Sequence, residues 1–143
     1  METRWVAVGF GGPEVLRQIA VDVPAPGPGE VTVAVRAAGM NPADYKHFGP
    51  GQDPALLPLT IGYEAAGVLS AVGPGTEIAS GGSRVGDEVV AFQIVGGYAS
   101  AITVDAADVF AQAGQRQLRR GRQLAPCRHY SRRDARRDRR LGP

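Results

Sequence analysis

The sequence lacks the residues on which several kinds of protein depend. Its single cysteine, Cys127, excludes an internal disulfide and any zinc site built from several cysteines. No apolar run approaches the length of a membrane span, and the first one, residues 5–8, is followed closely by Gly11 and Gly12. We therefore expect neither a signal peptide nor a membrane anchor, and we predict a soluble, cytoplasmic protein.

The net charge of +2 conceals two segments of opposite sign. Residues 1–111 carry five basic and twelve acidic side chains, whereas residues 112–143 carry eleven arginines and two aspartates. The basic balance of the whole chain thus describes neither segment and gives no ground for treating the protein as a nucleic-acid binder throughout. The chain has room for one domain, and we place its end at residue 111.

Residues 1–111 have the pattern of many short strands. Residues 31–36 alternate apolar and polar side chains, and further short apolar segments occupy residues 3–9, 67–72, 87–92 and 98–104. Glycine and proline supply 26 of these 111 residues, which indicates frequent turns. The segment is predicted to be all-β, a small barrel or sandwich. One helical turn is predicted after Asn41-Pro42, because asparagine caps helices and proline fits their first position.

Six short motifs follow one another through residues 11–99. Together they resemble the medium-chain dehydrogenase/reductase superfamily, specifically its zinc-free, NADPH-dependent quinone oxidoreductase branch. The resemblance implies that residues 1–111 form the substrate-side domain, a GroES-like, partly open β-barrel. In chain order the motifs are Gly11-Gly-Pro-Glu-Val-Leu16, Pro24-Ala-Pro-Gly-Pro-Gly-Glu-Val31, Ala37-Ala-Gly-Met-Asn-Pro-Ala-Asp44, Gly62-Tyr-Glu-Ala-Ala-Gly-Val68, Val85-Gly-Asp-Glu-Val89 and Gly96-Gly-Tyr-Ala99.

Two positions separate this sequence from the zinc-dependent relatives. Those proteins carry a cysteine or equivalent ligand near the position of Asn41 and a histidine at the position of Tyr63, and neither asparagine nor tyrosine is a good Zn²⁺ ligand. The four-cysteine loop of their structural zinc site is also missing. The resemblance therefore implies hydride transfer without a metal.

The resemblance also implies a set of site residues. Asn41 and Tyr45 would be catalytic, and Asn41, Tyr45 and Tyr63 would line the NADPH and substrate cleft, where a quinone or an activated alkene is reduced. Each residue has a simpler interpretation: Asn41 as a helix cap, Tyr45 as an aromatic at the barrel edge, and Tyr63 as a packed side chain. The intact relatives are homodimers, and their dinucleotide-binding domain follows the barrel in sequence.

Neighbouring polar residues receive more modest predictions. Asp44 is expected to fix its loop through hydrogen bonds to the backbone, and Glu64 to support the cleft without acting as a general base. Lys46 and His47 are expected on the surface. The glycines of residues 67–75 form no dinucleotide fingerprint, because no helical pattern follows them.

From Gln112 the sequence changes character. Runs of arginine, alanine, glycine and proline without lysine are typical of GC-rich coding DNA translated out of frame. Allowed codons for residues 112–137, read one nucleotide later, give a string that begins a capped, apolar helix and resembles the family's linker into the cofactor domain. The string is Lys-Pro-Ala-Asn-Val-Ser-Phe-Glu-Glu-Ala-Ala-Asn-Leu-Leu-Leu-Val-Gly-Thr-Thr-Ala-Ala-Glu-Met-Leu. We hypothesise a frameshifted, disordered tail on a chain cut off before its cofactor domain and inactive alone. The hypothesis fails if no single-base change near codon 112 opens that frame.

Other interpretations of the chain stay open at this stage. The tail could be a genuine solvated basic segment, or an RNA- or DNA-binding arm whose arginines contact phosphates and give a steep dependence on salt. The barrel could belong to a co-chaperonin-like subunit, although residues 1–111 contain no long segment suited to a mobile docking loop. In the intact family the partner is a small molecule, and neither membrane nor nucleic acid is expected.

Overall fold

The computed structural model describes residues 1–112, so the predictions made for the arginine-rich tail from residue 113 onward lie outside the described residues. The described part is built from strands, with one short α-helix and three single 3-10 turns at Pro13–Val15, Pro54–Leu56 and Ala106–Asp108. Within residues 1–112 the elements are β1 (Glu2–Ala7), β2 (Leu16–Val21), β3 (Glu30–Ala38), α1 (Pro42–His47), β4 (Leu59–Thr60), β5 (Glu64–Val72), β6 (Glu88–Phe92), β7 (Ala101–Asp105) and β8 (Val109–Ala111).

The strands form two antiparallel sheets. The smaller has the order β2-β1-β4, and the larger has the order β7-β3-β5-β6-β8. In the larger sheet, β3 and β5 are the long central pair, and a register shift lies between Val35 and Ala37 at the end of β3 that leads to α1. Because β3 and β5 are antiparallel, the end of β3 lies beside the start of β5. Helix α1 comes between these two strands in the sequence.

Strand β1 joins the two sheets. Its Trp5 N–H donates to the Tyr98 carbonyl at 2.8 Å, and the Ser100 N–H donates to the Thr3 carbonyl at 2.9 Å. An antiparallel bridge between Arg4 and Ala99 completes this contact. Because the segment before β7 is thereby held against β1, the two sheets curl into the partly open, GroES-like barrel that the sequence predicts.

The core has two parts. The larger lies on the inner face of the five-stranded sheet, where Val33, Leu69 and Val89 are fully buried. The smaller lies under α1, where Ala7, Phe48 and Ile61 are buried together. Phe48 follows the last residue of α1, so its burial fixes the helix against the three-stranded sheet. The site described below is built on this smaller core.

The sequence predictions for this region hold with two differences. The helical turn after Asn41-Pro42 is confirmed, and so are the strands predicted from the apolar segments. Strands β2, β4 and β8 were not predicted, because they are either largely exposed or only two or three residues long. The alternation expected of β3 is interrupted, since Thr32 is buried beside Val31 and Val33 and hydrogen-bonds the Thr103 hydroxyl at 2.9 Å. In residues 1–112 no helix has the length and apolar character needed to cross a bilayer.

Candidate active site

Helix α1 begins at a compact polar cap. Asn41 has the extended backbone of an N-cap residue, and Pro42 occupies the first helical position. The Asn41 backbone N–H donates to Asp44 Oδ2 at 2.6 Å, and the Asn41 backbone carbonyl accepts from the Asp44 N–H at 2.9 Å. The predicted role of Asp44, fixing the loop through backbone hydrogen bonds, is confirmed. The helix therefore presents Asn41 at a defined place beside the first residues of β5.

Asp44 also receives a hydrogen bond from a residue far along the chain. The Tyr98 hydroxyl donates to Asp44 Oδ2 at 2.9 Å, across 54 residues of sequence. Asp44 is only 4% exposed, and its Oδ1 is buried without a hydrogen-bond partner in the described part of the chain. A buried carboxylate with one satisfied oxygen is costly, so Asp44 depends on its two donors to remain in place.

The environment of Tyr98 suppresses its ionisation. Burial raises the pKa of Tyr98 to about 12, and the hydrogen bond to Asp44 and the negative charges of Asp44 and Glu64 act in the same direction. The phenol is therefore a fixed hydrogen-bond donor at physiological pH. The Gly96-Gly-Tyr-Ala99 motif is visible in the sequence, but the sequence analysis assigned Tyr98 no place in the site.

We expect the raised pKa of Tyr98 to make the fold sensitive to alkali. The folded chain holds the Tyr98 proton more tightly than the unfolded chain, whose pKa is near 10.0. The resulting stabilisation is fully present below pH 10 and is lost as the pH rises towards about 12. Chemical denaturation across this interval measures the loss, and Tyr98→Phe should flatten it while Tyr45→Phe, at an exposed position, should not. Equal slopes in wild type and Tyr98→Phe would contradict the assignment.

Tyr63 lies at the other end of α1. Its hydroxyl shares a hydrogen bond with His47 Nδ1, and the two rings meet edge to face with their centroids 5.3 Å apart. Burial raises the pKa of Tyr63, and the negative charge of Asp44 adds to the effect. His47 is exposed, as predicted, but its contact with Tyr63 was not foreseen. Tyr63 therefore offers a protonated phenol backed by an imidazole.

Glu64 faces the opposite end of the helix from Tyr63. Its Oε1 accepts a hydrogen bond from Asn41 Nδ2 at 3.1 Å, so the first residue of β5 is tied to the residue that caps α1. Asn41 and His47 are six positions apart, a distance of about 9 Å along the helix axis. The structure thus brings Asn41 and Tyr63 to one edge of the barrel, on either end of α1.

The third predicted residue is less constrained. Tyr45 lies on α1 between these two and is 61% exposed, which leaves its ring accessible to a ligand. The roles of Asn41, Tyr45 and Tyr63 toward a cofactor stay predictions. Residues 1–112 bring no three histidine, cysteine, aspartate or glutamate side chains together in an arrangement that could hold a metal ion.

The donor set at this edge fits the nicotinamide end of a dinucleotide. An asparagine amide can bond a carboxamide or a hydroxyl, and exposed or half-exposed tyrosine rings can lie against a flat heterocycle. The common dinucleotide phosphate site is a glycine-rich turn leading into a helix, and the one α-helix of the described residues instead begins at Asn41-Pro42. This part of the chain therefore suits one end of such a ligand.

Comparison with known proteins adds to the geometry. The sequence profile of the alcohol dehydrogenase GroES-like domain matches residues 27–114. The synaptic vesicle membrane protein VAT-1 homolog of Mus musculus is 38% identical over 114 residues, which cover 73% of this chain and 26% of that protein. The quinone oxidoreductase of Rattus norvegicus is 42% identical over 93 residues, covering 63% of this chain and 27% of that protein.

A solved structure gives the same picture in three dimensions. The Escherichia coli quinone oxidoreductase, crystallised in complex with NADPH, superposes with a TM-score of 0.67 at 33% sequence identity. The match covers 76% of this chain and 32% of that one. The chain therefore spans only about a quarter to a third of the length of the relatives it matches.

Proposed function

Because the chain belongs to the alcohol dehydrogenase GroES-like domain family, within the quinone oxidoreductase branch of the medium-chain dehydrogenases/reductases, we propose that residues 1–111 are the substrate-side domain of an oxidoreductase. The reaction is transfer of a hydride from NADPH to a quinone or an activated alkene, without zinc. The observation that carries the proposal is the convergence of Asn41 and Tyr63 on one edge of the barrel, around α1.

NADPH, when bound, supplies a hydride, and a quinone that accepts it with one proton becomes a hydroquinone. The residues of this chain would provide hydrogen bonds and a proton. The Asn41 amide orients a ligand at the N-terminal end of α1. Tyr63 stays protonated because its pKa is raised, so its hydroxyl can donate to an oxygen that gains negative charge. His47, hydrogen-bonded to the same hydroxyl, is exposed and so links Tyr63 to the solvent, from which the proton that Tyr63 gives up is replaced.

The 143-residue chain alone is proposed to be nearly inactive. The described residues provide one wall of a cleft, and hydride transfer requires both reactants to be held in close alignment. The homodimer and the out-of-frame origin of residues 112–143 stay predictions. The alternative of a nucleic-acid-binding arm depends on the tail alone, and none of the relatives named above supports it.

NADPH titration of the full chain tests this proposal. Nicotinamide fluorescence should show no saturation at micromolar NADPH, and millimolar NADPH should shift the backbone amide resonances of α1 and the start of β5. Asn41→Ala should reduce these shifts. Micromolar affinity would contradict the one-wall argument. Shifts centred instead on the groove beside Pro24 and Thr32, near the start of β3 and not near its α1 end, would contradict the location.

A further inference from the structure

The hydrogen bond between Asn41 and Glu64 determines which way the Asn41 amide points. A carboxylate has only acceptor oxygens when ionised, so the atom of Asn41 that meets Glu64 Oε1 at 3.1 Å must be the nitrogen. The carbonyl oxygen is on the other arm of the same planar group. With Nδ2 directed at Glu64, Asn41 Oδ1 is directed away from it. In the capping box Oδ1 faces the Asp44 N–H, and its second lone pair is left for a ligand.

The position of Glu64 is itself fixed by its surroundings. Its backbone carbonyl accepts from the Gly39 N–H at 3.3 Å, and in the ladder with β6 it lies opposite Phe92. Its side chain fills the space that a side chain at Gly39 would need. A Cβ on Gly39 would lie 1.9 Å from Glu64 Oε1 and 2.6 Å from its Cγ. The carboxylate is therefore placed over Gly39 and held toward Asn41.

We propose that Glu64 is a positioning residue that orients the Asn41 amide so that Oδ1 accepts a hydrogen bond from the ligand. The ligand group at this point is then a donor, a primary amide or a hydroxyl, rather than a developing oxyanion. This inference rests on the proposed function, because it takes Asn41 to border the ligand cleft. It assigns the stabilisation of negative charge to Tyr63, the protonated phenol at the other end of α1.

The positioning role can be measured without a ligand. In ¹⁵N-labelled full chain, the side-chain amide protons of Asn41 should be shifted and distinct because one of them is bonded to a carboxylate. Glu64→Ala should return both toward the values of a solvated asparagine. Glu64→Gln, which keeps an acceptor oxygen, should largely preserve the wild-type signals, and so should Glu77→Ala, which removes an exposed carboxylate in the loop between β5 and β6.

Backbone resonances of the sheets show in the same spectra whether each variant is folded. If folded Glu64→Ala keeps the wild-type Asn41 side-chain signals, the positioning role is wrong.

The polarity of the subsite is tested with two flat rings that differ in one group. Nicotinamide carries a primary amide that can donate, whereas 3-acetylpyridine carries a ketone that can only accept. Nicotinamide should bind the wild-type chain and Glu64→Gln about fivefold more tightly than 3-acetylpyridine does, the contribution of one hydrogen bond, and Glu64→Ala should lose the preference. Equal affinity in the wild type would overturn the polarity.

The two measurements separate this inference from the proposed function. Suppose that neither ring nor NADPH shifts the resonances of α1, while Glu64→Ala still moves the Asn41 side-chain signals toward those of a solvated asparagine. The positioning role then stands, and the proposed function at this edge fails. If NADPH binds at α1 and Glu64→Ala changes neither the Asn41 signals nor the ring preference, the function stands and Glu64 has no positioning role.

Discussion

Replacing Gly67 with alanine should destabilise the barrel by about 3 kcal/mol and lower its melting temperature by about 15 °C. Gly67 lies in β5 and pairs with Val35 of β3, next to the register shift in that strand. A Cβ at this position would lie 2.1 Å from the Ala34 carbonyl oxygen and 2.9 Å from its carbon. These are backbone atoms of the central strand pair, so relief requires β3 and β5 to separate.

Thermal unfolding followed by far-ultraviolet circular dichroism measures this effect. Gly9→Ala is the matched control, because a Cβ there would meet only the Val15 side chain at 3.6 Å, an ordinary contact distance. That variant should melt within a few degrees of wild type. The same melting temperature for Gly67→Ala and Gly9→Ala would show that the sheet accommodates the methyl group. Asn41 follows the end of β3, and Glu64 is the first residue of β5. Separation of the two strands should therefore also weaken the hydrogen bond between the Asn41 and Glu64 side chains.

Asp44→Ala is expected to have the second large effect, about 3 kcal/mol of lost stability together with disruption of the site. The substitution removes the acceptor for the Asn41 N–H at the start of α1 and for the Tyr98 hydroxyl. Both donors would stay at least partly buried without their partner. The pKa of Tyr98 should also fall toward its ordinary value, because Asp44 contributes to its elevation both as a hydrogen-bond acceptor and as a charge.

Urea denaturation and ultraviolet titration of tyrosinate report these two consequences separately. Asp53→Ala is the matched control, since Asp53 caps the 3-10 turn Pro54–Leu56 by accepting from the Ala55 N–H at 2.9 Å but is exposed. It should cost about 1 kcal/mol or less and leave the tyrosine titration unchanged. If Asp44→Ala is no more destabilising than Asp53→Ala, burial of the Asp44 carboxylate contributes nothing.

The features that the sequence predicted are those decided by neighbouring residues. Asn41-Pro42 specifies the start of a helix because capping and the fixed φ of proline act within one turn. The fold class followed from the spacing of glycines, prolines and short apolar segments. The family motifs extended this to a candidate site, because they include Asn41 and Tyr63, whose roles stay predictions.

The contacts that could not be predicted join residues far apart in the chain. Tyr98 meets Asp44 only because β1 holds the segment before β7 beside α1, and Glu64 meets Asn41 only because β3 and β5 are neighbours in the sheet. His47 looked like a surface residue because Tyr63, its hydrogen-bond partner, lies 16 residues further along the chain, just before β5. A sequence motif shows that such a residue matters to a family, while the partner is known only when the fold is known.

The contact between β1 and the segment before β7 has a consequence for how the protein is made. Residues 3–5 leave the ribosome well before residues 98–100, with which they pair, so the barrel cannot close until nearly all of the described chain has been synthesised. Until then β1 has only β2 and β4 as partners, and the segment that carries Tyr98 is absent. Closure and assembly of the site around Asp44 should therefore be late and simultaneous events in folding.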